Sequence, residues 1–240
     1  MSKRNISIVF GVIAVAVVAV AATLLWPGKP APTASAPPAA SAPAPVAMAT
    51  ATPAANVAIP APRADGLDMV MGADNAPITM IEYASLTCPH CARLHIETMP
   101  RLKAEYIDTG RLKLVFRDFP LDRIALNAAM LARCAGPERF FTFLDVFFSQ
   151  QANWLQGSSA DQIMGSLRRL ARTGGMSEAA MDACLANPEM QNAVLSQSMT
   201  GEREHKVQST PTLVINGTVH RGGQTFEDLD KILKPLAGNR

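Results

Sequence analysis

The 240-residue chain has a formal net charge of +2, but its charges are unevenly distributed. Residues 1–63 contain no acidic residue and four of the 22 basic ones, so residues 64–240 combine 18 basic with 20 acidic side chains, a local net charge of −2. A nearly neutral region of this length can bury a hydrophobic core, and it gives no electrostatic reason to expect nucleic-acid binding.

The first 26 residues are predicted to direct export. Lys3 and Arg4 precede an uncharged apolar stretch at residues 6–26, which is 21 residues long. As a helix this stretch spans roughly 30 Å, the thickness of a bilayer core. We expect the basic N-terminus to stay in the cytoplasm, the chain after it to be exported, and residues 6–26 to remain as an anchor. A cleavable signal peptide is the alternative, because Ala19-Val20-Ala21 offers a small-residue processing site.

Residues 27–63 are predicted to form a flexible linker. Residues 27–62 include 14 alanines and 10 prolines, and Lys29 is their only charged residue. Such a segment cannot build a core, and its prolines prevent regular helix or sheet. It would act as a semi-extended tether before the folded region, which we place at residues 64–240.

The folded region begins with a predicted βαβ unit. Residues 78–83 are apolar and β-branched, which is typical of a central strand. An amphipathic helix follows the next short loop and ends near Ile107, with Pro100 as an expected kink. Residues 112–116 predict a second strand, which runs parallel to the first if the helix is a crossover.

A helical block, a hairpin and a final helix are predicted for the remainder of the chain. Residues 122–207 carry the start and stop signals of helices only. Residues 212–215 and 218–220 flank the turn Asn216-Gly217, which is typical of a hairpin. Residues 226–236 predict a terminal helix. The predicted fold class is therefore α/β, in the order βαβ, helical block, ββα.

Cys88 and Cys91 carry the predicted chemistry. They are separated by two residues at the start of a helix that directly follows a strand, so their sulfurs can close a disulfide without backbone movement. We expect Cys88 at the exposed helix N-terminus and Cys91 one turn inward. The helix dipole and unpaired N–H groups stabilise a thiolate on Cys88, with His90 adding charge or hydrogen bonds. A stabilised thiolate leaves easily, which predicts an oxidising site.

Two other interpretations of this pair are a zinc half-site and an inert structural disulfide. Zinc needs four ligands, and the next cysteines are not closely spaced, since Cys134 lies 43 residues after Cys91 and Cys184 a further 50. The position of the pair in a βαβ pattern favours redox chemistry over an inert bridge. We predict no metal and no other cofactor.

Three ordered motifs resemble those of the DsbA family of thiol:disulfide oxidoreductases. Residues 82–91 read EYASLTCPHC, residues 115–120 read VFRDFP, and residues 208–217 read QSTPTLVING. The resemblance spans most of residues 67–240 and includes an unchanged Cys-Pro-His-Cys sequence, in which Pro89 and His90 separate the cysteines. It implies a thioredoxin-like fold with an inserted all-helical domain.

The resemblance also implies roles for residues outside the cysteine pair. Pro211 would form a cis peptide bond that faces the disulfide, and Thr210 would offer backbone hydrogen bonds to an extended substrate peptide. Glu82 would be the buried acid that handles the proton of Cys91. The alternatives are an ordinary trans proline at the start of a strand and an acid at a strand end that meets water.

Structural positions are assigned to the remaining cysteines and histidines. Exported proteins rarely keep two free thiols beside an oxidant, which favours a structural disulfide between Cys134 and Cys184. Two buried reduced thiols are the alternative. His95, His205 and His220 have no partner that the sequence reveals and are assigned to surface or satisfied positions.

The predicted function is that of a periplasmic dithiol oxidase. A substrate thiolate attacks the Cys88–Cys91 disulfide, and the second thiol of the substrate resolves the mixed disulfide. By the resemblance, reduced exported proteins are the substrates, and a DsbB-like, quinone-linked membrane protein reoxidises the pair of a monomeric enzyme. The alternatives are a disulfide reductase or isomerase kept reduced by a membrane partner, and a peptide-binding chaperone whose cysteine pair is incidental.

Overall fold

The computed structural model describes residues 68–238, which form a mixed sheet of five strands and a set of surrounding helices. In the sheet the strands are ordered β1-β3-β2-β4-β5. Their bounds are β1 Met69–Met71, β2 Ile78–Ala84, β3 Leu112–Asp118, β4 Thr212–Ile215 and β5 Thr218–Arg221. Strands β2 and β3 are parallel, and the other neighbouring pairs are antiparallel. This arrangement confirms the predicted α/β class and the thioredoxin-like order of elements.

The α-helices of the described region follow β2, fill the interval between β3 and β4, and close the chain. They are α1 Pro89–Arg93, α2 Met99–Leu102, α3 Arg123–Cys134, α4 Pro137–Ser149, α5 Gln151–Trp154, α6 Ala160–Thr173, α7 Glu178–Leu185, α8 Pro188–His205 and α9 Phe226–Ala237. Within residues 68–238 no helix is long and apolar enough to span a bilayer. The predicted export segment, residues 1–26, and the predicted linker, residues 27–63, lie outside the described residues.

The central strands are buried on both faces, which explains their nearly continuous apolar sequence. Met80 of β2 enters a hydrophobic cluster that also contains Leu102 of α2 and residues of α9. The next residue, Ile81, enters a separate cluster with Val214 of β4. Successive residues of a strand point to opposite faces, so one strand supplies both clusters. Strand β1, with three residues, is an edge strand that the sequence analysis missed.

The predicted long helix extends to Ile107 as expected, but two of its segments have π-helical instead of α-helical hydrogen bonds. Between α1 and α2, residues Leu94–Thr98 form a π-helical segment in which the N–H of Met99 donates to the Leu94 carbonyl. A second π-helical segment, Lys103–Ile107, follows α2. Pro100 has no N–H to donate, and it is the second residue after the first segment. Near the position of the expected kink the helical hydrogen bonding therefore changes, in a way often found at functional sites.

The helical block, α3 to α8, is capped largely as the sequence predicts. Among residues 68–238, five helices, including α9, begin with a side chain that accepts from an N–H of the first turn: Asp122, Ser159, Ser177, Asn187 and Thr225. Such caps each stabilise a helix by about 1 kcal/mol. Helix α5, a single turn, is not predicted from the sequence.

Buried polar contacts attach the helical block to the end of β3. The guanidinium of Arg133 on α3 donates to the Asp118 carboxylate and, at 2.6 Å, to Oε1 of Gln197 on α8. The same oxygen accepts the backbone N–H of Asp118 at 2.8 Å. All three side chains are buried, so each of these partners is needed to compensate for lost hydration.

A disulfide joins the two cysteines of the helical block. Cys134 at the end of α3 is bonded to Cys184 of α7, with 6.1 Å between their Cα atoms. The structure thus contains the bridge that the sequence analysis favours over two reduced thiols. Cys184 belongs to the largest buried cluster, and the bridge closes a segment of 50 residues that includes α4, α5 and α6.

Removal of this bridge should destabilise the protein without affecting the redox pair. For a sequence separation of 50 residues, the chain-entropy model gives a loss of up to about 4 kcal/mol in the free energy of unfolding. Urea unfolding of the full chain with Cys134→Ala and Cys184→Ala, against the unmodified oxidised protein, measures this loss. Equal midpoints would show that packing alone holds α3 to α7.

Candidate active site

The cysteine pair lies at the N-terminus of α1, at the end of strand β2. Cys88 is the N-cap residue of α1, and Pro89 occupies the first helical position, where its missing N–H costs nothing. Both cysteines are free thiols. Cys91 is completely buried and Cys88 is 5% exposed. The prediction of an exposed Cys88 is therefore wrong, while the inward position of Cys91 agrees with the structure.

A loop from the far end of the chain covers Cys88. The Thr210–Pro211 peptide bond is cis, and it immediately precedes β4. Because β4 pairs with β2, with Thr212 opposite Tyr83, this loop comes to the end of β2 where the cysteine pair begins. The Cys88 thiol donates to the Thr210 carbonyl at 3.3 Å. The structure thus brings together residues that are 122 positions apart in sequence.

The two thiols have opposite pKa perturbations. The pKa of Cys88 is lowered to about 5, chiefly by a hydrogen bond from the Cys91 side chain, with further contributions from Thr210 and from the backbone N–H groups of Cys91 and His90. The pKa of Cys91 is raised, first by burial and then by the neighbouring sulfur and the charge of Glu82. At neutral pH Cys88 is therefore a thiolate and Cys91 a protonated thiol, as nucleophilic exchange requires.

The side chain of His90 faces solvent rather than the buried interior around Cys91. His90 is exposed and lines a surface cavity of about 470 Å³ together with Arg93, Glu97 and Phe226. Of the contributions predicted for His90, its backbone N–H is the one that lowers the Cys88 pKa in this structure. Backbone N–H groups at the helix terminus thus stabilise the Cys88 thiolate, whereas the prediction also gave the His90 side chain a part.

Glu82 is completely buried, which contradicts the alternative of an acid that meets water at the strand end. Its carboxylate oxygens lie 3.0 and 3.1 Å from Nε2 of His95. His95 is itself buried and stacks on Phe148 with ring centroids 4.3 Å apart. The contact between Glu82 and His95 is not among the pairs predicted from the sequence. One signal was available, since His95 follows the inward-facing Cys91 by four positions and so lies on the same face of the helix.

A second unpredicted residue, Gln151 of α5, holds the loop that leads into the cysteine pair. Its side-chain amide donates to the carbonyls of Leu86 and Cys88 at 2.9 and 3.0 Å. Gln151 is buried, so these bonds form in a poorly hydrated environment where their loss is costly. No sequence signal marks this glutamine, because its partners are backbone atoms more than 60 residues away.

The candidate site therefore contains two thiols, a buried acid and a covering loop. Within residues 68–238 no group of three His, Cys, Asp or Glu side chains is arranged to hold a metal ion. This arrangement can carry out thiol–disulfide exchange. Cys88 can attack or leave, and Cys91 can resolve the bond that Cys88 makes.

Comparison with known proteins agrees with this chemistry. The family model described as Thioredoxin matches residues 64–235. A protein of Rickettsia bellii, provisionally named a protein-disulfide oxidoreductase, is 32% identical over 154 residues, which are 64% of this chain and 58% of that protein. The disulfide bond formation protein D of Bacillus subtilis is 24% identical over 70% of this chain and 74% of its own length. The chain thus spans less than two thirds of the Rickettsia relative.

Solved structures show the same fold. The crystal structure of Wolbachia pipientis alpha-DsbA1 superposes with a TM-score of 0.68 at 28% identity, and covers 74% of this chain and 93% of its own. BdbD of Bacillus subtilis in its oxidised form superposes with a TM-score of 0.63 at 21% identity, over 72% of this chain and 94% of its own. The thioredoxin-like fold with an inserted helical block is therefore shared with these proteins.

Replacement of Thr210 by valine should raise the Cys88 pKa. The buried Thr210 hydroxyl has no other hydrogen-bond partner within the described residues, so it is available to donate to the Cys88 thiolate, an interaction that lowers the Cys88 pKa. A hydrogen bond to a charged group is worth roughly 1.5–3 kcal/mol, so we expect a rise of about one to two pH units. Thiolate ultraviolet absorbance against pH measures the change.

Ser209→Ala is the matched control, because Ser209 is the exposed neighbour of Thr210. We expect it to leave the titration of Cys88 in place. An unchanged titration in Thr210→Val would show that backbone N–H groups and Cys91 alone stabilise the thiolate.

Proposed function

The chain belongs to the thioredoxin family, among its DsbA-like members, and from this membership we propose that it is a thiol:disulfide oxidoreductase that introduces disulfides into exported proteins. The observation that carries the proposal is the lowering of the Cys88 pKa to about 5 beside a buried, protonated Cys91. A thiolate that is stable in the reduced protein makes the Cys88–Cys91 disulfide a ready acceptor of electrons.

The proposed reaction has two exchange steps. A substrate thiolate attacks the Cys88 sulfur, the Cys88–Cys91 bond breaks, and Cys91 leaves with the electron pair and takes up a proton. The second substrate thiolate then attacks its partner sulfur, and Cys88 leaves as a thiolate. The substrate loses two electrons and two protons. One proton resides on Cys91 and the other enters solvent.

The pKa values favour oxidation of substrates over reduction. A reductase needs a dithiol that gives up its electrons readily, which a strongly stabilised Cys88 thiolate opposes. A reductase or isomerase kept reduced by a membrane partner remains the alternative. A peptide-binding chaperone is less well supported, because the opposite perturbations of two adjacent thiols have no use in binding alone.

The proposed substrates are reduced, unfolded exported proteins. Thr210 and the cis-Pro211 loop lie beside Cys88, where the backbone of Thr210 can pair with an extended peptide. The Cys134–Cys184 disulfide supports an oxidising compartment such as the periplasm. Tethering to the inner membrane by residues 6–26, action as a monomer, and reoxidation by a DsbB-like quinone-linked membrane protein complete the proposal.

Equilibration with glutathione tests the direction of the reaction. Full-length protein is incubated in buffers of varied ratio of reduced to oxidised glutathione, trapped with a thiol reagent, and analysed by mass. We expect the Cys88–Cys91 pair to be half reduced at a potential well above the roughly −270 mV of thioredoxin. A thioredoxin-like potential would favour the reductase alternative.

Activity assays on cysteine variants separate catalysis from peptide binding. Cys88→Ser should abolish the oxidation of a reduced model protein, whereas Cys134→Ala with Cys184→Ala should retain it. Full activity of Cys88→Ser in preventing aggregation, with no oxidase activity in the unmodified protein, would support the chaperone instead.

The stability of the reduced protein should exceed that of the oxidised protein at neutral pH. The Cys88 pKa is about 5 in the folded state against an ordinary value near 9, so folding favours the thiolate. This stabilisation is complete above the unfolded pKa and disappears as pH falls through the folded one. Between them it grows by roughly 1.4 kcal/mol per pH unit. At pH 7 it should exceed the roughly 2 kcal/mol that so short a disulfide ring contributes.

Thermal unfolding in both redox states measures this difference. The full chain carries Cys134→Ala and Cys184→Ala, so that reductant acts on the Cys88–Cys91 pair alone. We expect the reduced form to melt at the higher temperature near pH 7 and to lose that advantage towards pH 5. A higher melting temperature for the oxidised form at pH 7 contradicts the stabilised thiolate.

A further inference from the structure

His95 directs one ring nitrogen towards Glu82 of the candidate active site and the other towards Asp145 of α4, whose side chain is exposed. Its Nε2 lies 3.0 Å from Oε1 of Glu82, which is completely buried. Its Nδ1 is buried and has no hydrogen-bond partner within the described residues. The nearest acid on that side is Asp145 of α4, with Oδ1 4.0 Å from Nδ1 and a side chain that is 67% exposed. The imidazole therefore separates a buried carboxylate from a solvated one.

Cys91 needs a path for its proton. The thiol is completely buried, and burial together with the charge of Glu82 favours its protonated form. Each time the Cys88–Cys91 disulfide forms or breaks, a proton must leave or reach this sulfur. Glu82 is the acid that influences Cys91, but Glu82 has no exposed surface of its own. A further group must carry the proton between Glu82 and solvent.

We propose that His95 passes protons between Glu82 and the surface carboxylate of Asp145, so that Cys91 exchanges its proton with solvent through the edge of the helical block. This inference rests on the proposed thiol–disulfide exchange. A surface cavity of about 440 Å³, lined by His95, Asp145 and Lys103, lies at the outer end of the path. The 4.0 Å between Asp145 Oδ1 and Nδ1 is about 1 Å beyond hydrogen-bond distance, and the Asp145 side chain is exposed.

The direction of transfer follows the reaction. When Cys91 attacks a mixed disulfide on Cys88, its proton moves to the Glu82 carboxylate, the new S–S bond forms, and the departing thiolate takes the electron pair. Glu82 then gives the proton to Nε2 of His95, and the imidazole releases its other proton from Nδ1 to Asp145 or to water. In the opposite half-reaction Cys91 leaves as a thiolate, and the same steps run in reverse to protonate it.

A histidine suits this position because it can accept a proton at one nitrogen while it releases another from the second. If His95 only paired with Glu82 through Nε2, the direction in which Nδ1 points would have no function. The charged and titratable groups around the path are Glu82 on β2, Asp145 on α4, Cys91 on α1 and Lys103, whose ammonium pairs with Asp108 at 2.6 Å. Phe148 and Phe116 complete the apolar wall around the ring.

Time-resolved trapping of a mixed disulfide tests the relay. Full-length protein with the Cys88–Cys91 pair reduced is mixed with oxidised glutathione and quenched with acid, and the glutathione adduct on Cys88 is quantified by mass. Formation of the adduct reports the attack by Cys88, and its decay reports the attack by Cys91. We expect His95→Gln to leave formation within about twofold and to slow decay on the order of 100-fold, a typical contribution of general acid–base catalysis.

One surface change and a pH series separate the relay from a structural role. Asp145→Asn, on an exposed position that should not disturb folding, is expected to slow decay by about threefold to tenfold, since water replaces part of its function. The decay defect of His95→Gln should shrink as pH rises, because hydroxide can then remove the proton without the relay. His220→Gln and Glu138→Gln are the matched controls and should behave like the unmodified protein.

Equal decay rates in the unmodified protein and in His95→Gln would overturn the relay. So would a lower melting temperature in His95→Gln with equal slowing of formation and decay and normal kinetics in Asp145→Asn, which would assign His95 a packing role. If His95→Gln fails to fold, Asp145→Asn decides, and normal decay in that variant rejects the relay. Failure of the unmodified protein to form or resolve the adduct would instead reject the proposed function.

Discussion

The antiparallel pairing of β4 with β2 is the contact on which the site depends. It sets Thr212 opposite Tyr83 and thereby brings Thr210 and the cis-Pro211 bond onto Cys88. Between β3 and β4 the chain makes a long excursion through six helices of the described region. That excursion must return in register, and the bonds of Arg133 and Gln197 at the end of β3 fix the block that makes the return possible.

One helical turn then separates two very different environments. Cys88 is the N-cap residue and is close to backbone N–H groups that have no acceptor within the helix. These N–H groups favour a negative charge on the Cys88 sulfur. Cys91 lies one turn deeper, completely buried and near Glu82, where a thiolate is disfavoured. The positions of the two cysteines in the local sequence create the difference between their environments. The loop of Thr210 and Gln151 maintain it by holding the first turn of α1 in place.

Elements with strong local signals could be predicted from the sequence. The two central strands, the hairpin around Asn216-Gly217 and the capped helices follow from apolar periodicity and turn chemistry, and the cysteine pair follows from spacing. Strand β1 and helix α5 are too short to show a period. The burial of Cys88 and the contacts of Gln151 could not be predicted, because their partners lie far away in sequence and are backbone atoms. The Glu82–His95 pair needed the register of β2 against the helix, which spacing alone does not supply.

The separation of 122 positions between Cys88 and Thr210 also imposes an order on the assembly of the site. Synthesis delivers the chain from its N-terminus, so the cysteine pair emerges long before the strand that covers it. Closing so long a loop is entropically costly until the intervening helices have folded. During that interval Cys88 lacks the contribution of Thr210 to its low pKa. The site is therefore completed only when nearly the whole chain has emerged, and a truncated chain carries the cysteine pair without its cover.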